Sequence, residues 1–475
     1  MSDAFELVEP LFVPPLDPEF RPAVLANKAL VAAAQDAGQA VPLRIGLERA
    51  DGSISTFETV CWAEGSEQFE ANYMYAERLV KFLLWQRGGW RVMVGGPAAI
   101  GQYIKQVYAK DGARAFDWDF MGGVYEHEFT VDVMAASDVP DTREETRPLG
   151  RHLDGCRIGI DLGGSDYKLA AVVNGEPVWA DEFPWDPKGQ TDPGYHRARI
   201  NEGLRIAASK MPRVDAIGGS AAGVWINNRV LVASLFRGIP RDVFDREVKD
   251  LFVNIGKEWG VPLTIVNDGE VTALAGSMEL NANAVLGIAM GTSEAAGYVT
   301  PEGNITGWLN ELAFAPIDYA PSAPADEWSG DIGCGVQYFN QTGVVRAAEA
   351  AGIEFEAGLG LPEKLVVVQD LMKAGDERVI PVYETVGTWF GYALAHYADF
   401  YEIQHCLILG RATTGEGGVI IQQQARKVLE GEFPDLAAKI QLHLPDESSR
   451  RVGQSVAAAS LPEIESKGCG CCGQA

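Results

Sequence analysis

Apolar and polar positions follow two rhythms along this chain. Short apolar or alternating runs closed by Gly, Asn, Asp or Pro predict strands, and longer runs with apolar residues three to four apart predict helices. After a Pro-rich start at residues 9–15, the pattern predicts a helix over 22–39 and a hairpin over 43–62 turning at Asp51-Gly52. It then predicts a helix over 71–85, a buried strand at 91–94 running into Gly95-Gly96-Pro97, and a helix over about 98–109. Residues 137–151, rich in Asp, Pro, Thr, Glu and Arg, read as a linker. From Cys156 onward strands alternate with helices, which predicts an α/β arrangement. Strands are expected at 214–218, 263–266, 284–289, 296–299 and 406–409, with helices at about 242–259, 271–278, 382–401 and 419–430. Pro381 stands just ahead of the third of these helices, a tolerated place. A helix–strand–glycine order recurs at 76–96 and 388–410, either two related units or a coincidence of common elements.

The segment 158–176 is the most informative. An apolar strand ends on Asp161, turns through Gly163-Gly164-Ser165 and leaves as a second strand at 167–173. Asn174-Gly175 then supplies the two positive φ values of a type I′ turn, which sends the chain back as a third strand. In P-loops and dinucleotide folds the glycines lead into a helix, whereas here they join antiparallel strands. Bare glycines let backbone N–H groups approach phosphate oxygens, with Asp161 placed for a Mg²⁺ shell. The bland alternative is a tight turn.

Length and composition narrow the partners. The chain has 475 residues, 47% hydrophobic and 22% charged, so two or three soluble domains are expected. No apolar run is long enough for a membrane span, and the N-terminus lacks the basic and apolar regions of a secretory signal. A formal charge of −27 disfavours nucleic acid, so neither a nucleic-acid nor a membrane partner is expected. Four of the seven cysteines, Cys61, Cys156, Cys334 and Cys406, lie in apolar contexts as free thiols. Cys469, Cys471 and Cys472 crowd the tail, whose adjacent spacing suits an oxidisable end better than a tetrahedral metal site. The odd count fits a reducing cytoplasm. His127, between Glu126 and Glu128, reads as part of an exposed strand of alternating charge.

Several separated segments then fall in one order. Asp161-Leu-Gly-Gly-Ser165 is followed by Gly218-Gly219-Ser220-Ala221-Ala222-Gly223, Asn267-Asp268, Gly291-Thr292, Glu311, Leu409-Gly410 with later glycines, and the small-residue segment 451–459. This order resembles the ROK family (repressors, open reading frames and kinases) over residues 156–462. The resemblance implies an α/β, actin-like (ribonuclease H-like) two-lobe ATPase fold with an extra N-terminal α+β domain. The expected division is 1–150 as the extra domain of unknown role, 155–283 as the first lobe, 284–462 as the second lobe and 463–475 as a tail. It further implies a cytoplasmic homodimer that uses ATP and Mg²⁺ to phosphorylate a hydroxyl of a sugar or polyol in carbohydrate metabolism. By the resemblance Asp268 is the catalytic base, and Asn267, Glu311 and Gly223 bind the acceptor. Asp161, Gly163, Gly164, Ser165, Lys168, Gly291, Thr292, Gly410 and Gly415 hold ATP phosphates or the nucleoside, and Asp161 holds Mg²⁺ through water.

The chain also departs from the family pattern. Where the family has Glu-x-x-His, this chain reads Glu311-Leu-Ala-Phe314, and of the Cys-x-Cys-Gly segment only Cys334 is left, so no structural zinc is expected. Glu294 and Asp166 add carboxylates next to the two phosphate segments, and Arg411-Ala-Thr-Thr interrupts the glycines of the adenosine segment. An alternative function therefore stands beside the kinase: a non-catalytic ROK-like ligand-binding or assembly protein. No recognition helix of a repressor is visible in residues 1–150.

Overall fold

The computed structural model describes residues 5–144, 149–445 and 447–464; the cysteine tail lies outside the described residues. The chain divides into two compact units. One comprises Met1–Thr146, Asn283–Glu302 and Thr306–Pro445, the other Arg147–Ala282, Gly303–Ile305 and Asp446–Ala475. Residues 5–144 thus fall in the same compact unit as 283–302 and 306–445, and the helix Glu447–Ala459 falls in the unit of residues 149–282.

In the first unit, β1 (Ala40–Glu48), β2 (Ile54–Trp62), β3 (Arg91–Gly95) and β4 (Thr130–Met134) form a sheet of order β2-β1-β3-β4. Helix Ala71–Arg87 joins β2 to β3 and is buried along nearly its whole length. The stretch expected as a linker is partly held: Ile54 and Arg143 exchange backbone hydrogen bonds of 2.9 and 2.8 Å at the edge of β2. His127 lies outside any strand, its ring stacked on Trp90 at 4.7 Å.

The second unit holds β5 (Cys156–Leu162), β6 (Asp166–Val173), β7 (Glu176–Pro184), β8 (Ala216–Ala221), the small hairpin β9 (Val224–Ile226) and β10 (Arg229–Val232), and β11 (Leu263–Asn267). Its five-stranded sheet runs β11-β8-β5-β6-β7, with β5, β8 and β11 parallel and the β5–β6–β7 meander antiparallel. Asn174 (φ 50°) and Gly175 (φ 86°) make the expected turn between β6 and β7. The helix expected over 242–259 is interrupted, with a π-helical turn at Phe244–Val248 and a fresh start at Leu251–Trp259. At the break the Lys249 carbonyl accepts the Val230 N–H of β10 at 2.9 Å.

The helix Glu447–Ala459 closes one face of this sheet. Its approach depends on two glycines: a Cβ at Gly159 or Gly218 would run into the carbonyls of Ser455 or Ala458. Gly218→Ala is expected to cost about 1–3 kcal/mol by overpacking against backbone that cannot yield. Gly219→Ala, whose Cβ would meet only the Ile265 side chain at 3.1 Å, should cost clearly less. Equal urea midpoints for the two variants would refute this account.

The first unit resumes with β12 (Val285–Met290), β13 (Glu294–Val299), β14 (His405–Leu409) and β15 (Gln441–His443), in the order β13-β12-β14-β15. Helix Val379–Tyr397 carries Pro381 in its first turn, where its missing N–H breaks no intrahelical bond. The two four-stranded sheets share a strand order, yet β1 and β3 pair antiparallel whereas β12 and β14 pair parallel. They are therefore not copies of one unit. Among the described residues no helix is long and apolar enough to cross a membrane.

Candidate active site

Three parallel strands of the second unit end on one edge of the sheet, the edge where α/β folds bind ligands. Asp161 near the end of β5 lies opposite Ser220 of β8, and Asn267 at the end of β11 lies opposite Ala221. The helix Asp268–Leu280 starts there, three residues earlier than its apolar periodicity begins, because Asn267 caps it. Asn267 Oδ1 accepts the Gly269 N–H at 2.7 Å, and Asn267 Nδ2 donates to the Gly223 carbonyl at 2.8 Å. Gly223 has φ 127° and tucks against Val232 and Ala233, a place only glycine fills. The Asn-Asp pair and the glycine loop, 44 residues apart, are thus joined by one hydrogen bond.

The electrostatics of this edge are those of two carboxylates sharing a half-buried space. Burial, together with the nearby charge of Asp161, pushes Asp268 up to about 6. Burial also raises Asp161, opposed by Lys168 and by a hydrogen bond from Ser220. Lys168, directly across the β5–β6 ladder, lies 3.4 Å from Asp161 and 3.7 Å from Asp166. The Asp166 carboxylate also accepts the Ser165 hydroxyl at 2.8 Å, so the extra charge of this loop is answered within it. Ser220, buried beside Asp161, carried no signal in the sequence beyond its place in a small-residue loop.

The donor set fits a magnesium ion. Asp161 and Asp268 are hard carboxylates whose mutual repulsion a divalent cation would relieve, and Mg²⁺ is held by one or two carboxylates plus water and phosphate. Among the described residues no group of three or more His, Cys, Asp and Glu could form an all-protein cage.

The other candidate residues lie in the first unit. Gly291 and Thr292 form the tight turn between β12 and β13, where Gly291 N–H donates to Ser293 O at 3.0 Å. Gly410 (φ 105°) follows β14 and presses on the backbone of Met290, so the two glycine segments are neighbours. Arg411–Thr413 form a 3₁₀ turn, and Gly415 (φ 73°) opens the helix Glu416–Glu432 with free space around its Cα. Beside this segment lies a cavity of about 190 Å³ lined by Pro362, Leu365, Val366, Gln369, Arg411 and Thr414.

Two departures of the sequence acquire a physical meaning here. Glu294 does not face the phosphate turn: it is 3% exposed, its carboxyl set against Gly335 and 3.5 Å from the Tyr397 hydroxyl. Burial, opposed by Tyr397 and helped by the charge of Glu311, pushes it up to about 8. The native state thus holds an extra proton between its ordinary value of 4.5 and about 8, so stability falls as pH rises through that window. Glu294→Gln is expected to remove this slope, gaining roughly 1 kcal/mol per pH unit over the parent across the window and nothing below it. Unfolding midpoints of both proteins at pH 5 and pH 8 check the sign.

Phe314 stacks on Trp85 at 4.2 Å, and the Trp85 and Gln86 carbonyls accept the Glu311 and Asn310 N–H groups at 2.9 and 2.8 Å. The N-terminal region therefore holds the segment that carries Glu311. Behind Trp85 lies a buried charge cluster: Arg78 meets Glu77 and Asp331 at 2.6 and 2.9 Å, Lys81 meets Asp117 at 3.0 Å, and Arg114 meets Asp331 at 2.6 Å. Cys334 sits among these groups, 3.8 Å from Asp331, its thiol pushed up by burial against the pull of Lys81. A thiol beside an ammonium and a guanidinium does not fit a zinc centre.

No family model matches the chain, and no curated protein matches it either. Solved structures do. A ROK family transcriptional regulator, a homologue of the E. coli MLC protein, superposes with a TM-score of 0.52 at 17% identity, covering 65% of this chain and 79% of that one. The ROK hexokinase from Thermus thermophilus superposes with a TM-score of 0.51 at 17% identity, covering 64% and 97%. At such identities the likeness is one of architecture. This chain has the actin-like α/β fold of the ROK proteins, with about a third of its length outside the matched part.

Proposed function

We propose that this chain is an ATP-dependent kinase that transfers the γ-phosphate to a hydroxyl of a sugar or related polyol. One observation carries the reading: Asp268, at a strand end beside a capping amide, holds its proton up to about 6. Such a carboxylate is ionised at pH 7 yet basic enough to take the proton of an attacking hydroxyl. Asn267, held by Gly223 and Gly269, keeps one amide proton and one lone pair for the acceptor. Gly164 and Ser165 offer backbone N–H groups to phosphate oxygens, Gly163 shapes the loop with its own N–H donated to the Asp166 carbonyl at 2.9 Å, and Asp161 orients a water-bound Mg²⁺. Mg²⁺ supplies charge neutralisation on the transferring group. Glu311 is assigned a further acceptor hydroxyl. Gly291, Thr292, Gly410 and Gly415 are assigned nucleotide contacts, and the 190 Å³ cavity the base.

Coupled detection of ADP across neutral sugars, sugar acids and polyols tests the reading. Acceptor-dependent, saturable ADP release is the expected result; Mg·ATP that neither binds nor turns over with any acceptor defeats it. The second reading, a non-catalytic ligand-binding relative, is favoured by the equal likeness to a regulator and to a hexokinase. Ligand binding by calorimetry without Mg·ATP binding would select it.

A further inference from the structure

Residues 185–190 form a short strap after β7, and the strap is fixed to the glycine loop. Trp185 donates its backbone N–H to the Ser165 carbonyl at 3.0 Å and its indole N–H to the Gly163 carbonyl at 2.8 Å. On its far side His196, fully buried, lies 3.1 Å from the Pro187 carbonyl and 3.0 Å from that of Leu235. Tyr195 accepts the Asp186 N–H at 3.0 Å, and Gly238 packs on the Lys188 carbonyl, where a Cβ would come within 2.9 Å. This strap aims Lys188 at the loop. A Cβ built on Gly164 would lie 2.7 Å from Lys188 Nζ and 2.9 Å from its Cε.

Lys168, the other cation of the loop, is engaged by Asp161 and Asp166, whereas Lys188 has no ion-pair partner among the described residues. The loop itself carries Asp161 and Asp166, both at Lys168, in a chain of net charge −27. A polyphosphate entering this loop meets carboxylates, and backbone N–H groups carry only partial charge. The ammonium over the bare glycine is a full positive charge placed to meet it.

We propose that Lys188 is a phosphate-binding residue, its ammonium donating to an oxygen of a nucleoside polyphosphate seated on Gly163-Gly164-Ser165. Lysine serves here as a point charge. The bare glycine at 164 is what lets the ammonium come this close to the loop backbone. The inference rests on the kinase reading, because it takes this loop as the phosphate cradle.

The test is calorimetry of Mg·ATP and of inorganic tripolyphosphate with the full chain, its Lys188→Met variant and its Lys188→Arg variant. Lys188→Met is expected to weaken both ligands about tenfold, the loss of one charge-assisted hydrogen bond, with a shallower salt dependence. Lys188→Arg should restore most of the affinity, and the KM of the acceptor should not move. If the parent binds both ligands and Lys188→Met binds them equally well, the inference falls and the kinase reading stands. If the parent binds neither, the phosphate cradle itself is refuted, and both fall together.

Discussion

Asp268→Asn is expected to abolish acceptor-dependent ADP release, by ~10²–10⁴ in kcat, while the fold persists. The cap of the helix Asp268–Leu280 does not depend on the lost charge, since Asn267 already takes the Gly269 N–H at 2.7 Å. The parent should gain activity with rising pH through about 6, where Asp268 gives up its proton, and the variant should lack that limb. Stability moves the opposite way. The native carboxyl is raised from 3.8 to about 6, so the folded state holds an extra proton in that window and loses stability as pH rises through it. Asp268→Asn should therefore be more stable than the parent at pH 7, on the order of 2 kcal/mol, and no different at pH 3. A variant that turns over as the parent does, or a parent whose rate has no limb near pH 6, would remove Asp268 from the chemistry.

Lys81→Met is expected to be the most damaging single change to stability, at about 3–5 kcal/mol. Lys81 is 0% exposed, its ammonium 3.0 Å from Asp117 and 3.5 Å from Asp331, which are themselves 1% and 4% exposed. Removing the cation leaves Asp117 with only the Trp85 indole N–H at 2.9 Å for its buried charge. Because Trp85 also stacks on Phe314 and accepts the Glu311 N–H, the damage should reach the segment proposed to bind the acceptor. Adding Asp117→Asn to Lys81→Met should recover part of the loss, since it removes the orphaned charge. A urea unfolding loss under about 1 kcal/mol would place this cluster with surface ion pairs and refute its role.

Some of this architecture could be read from neighbouring residues alone. Asn174-Gly175 names its turn because few residues adopt positive φ twice in succession. Asp161 with its glycines, and Asn267-Asp268 after a strand, are legible for the same reason: strand ends, caps and bare turns are settled within a few residues. The order of those segments along the chain carried the fold, which the ROK structures share.

What lay outside such a window was decided by packing. Whether Glu294 opposed a phosphate or turned inward depended on Gly335 and Tyr397, 41 and 103 residues later in the chain, which supply the buried space it occupies. Residues 1–150 read as a separate domain because their helices and strands are locally complete. Contacts far apart in sequence, among them Arg78 and Lys81 with Asp331 and Trp85 stacked on Phe314, bring residues 5–144 into one unit with 283–302 and 306–445. Lys188 is placed at Gly164 by a strap that Trp185 and His196 fix from other parts of the chain. The sequence by itself determined most of the elements and the turn chemistry, because these follow from backbone preferences and periodicity, while the fold was implied by the resemblance of its ordered motifs to a known family. The partners of its buried charges were decided only in the tertiary structure, because a charge out of water takes whichever opposite charge the packing brings within reach.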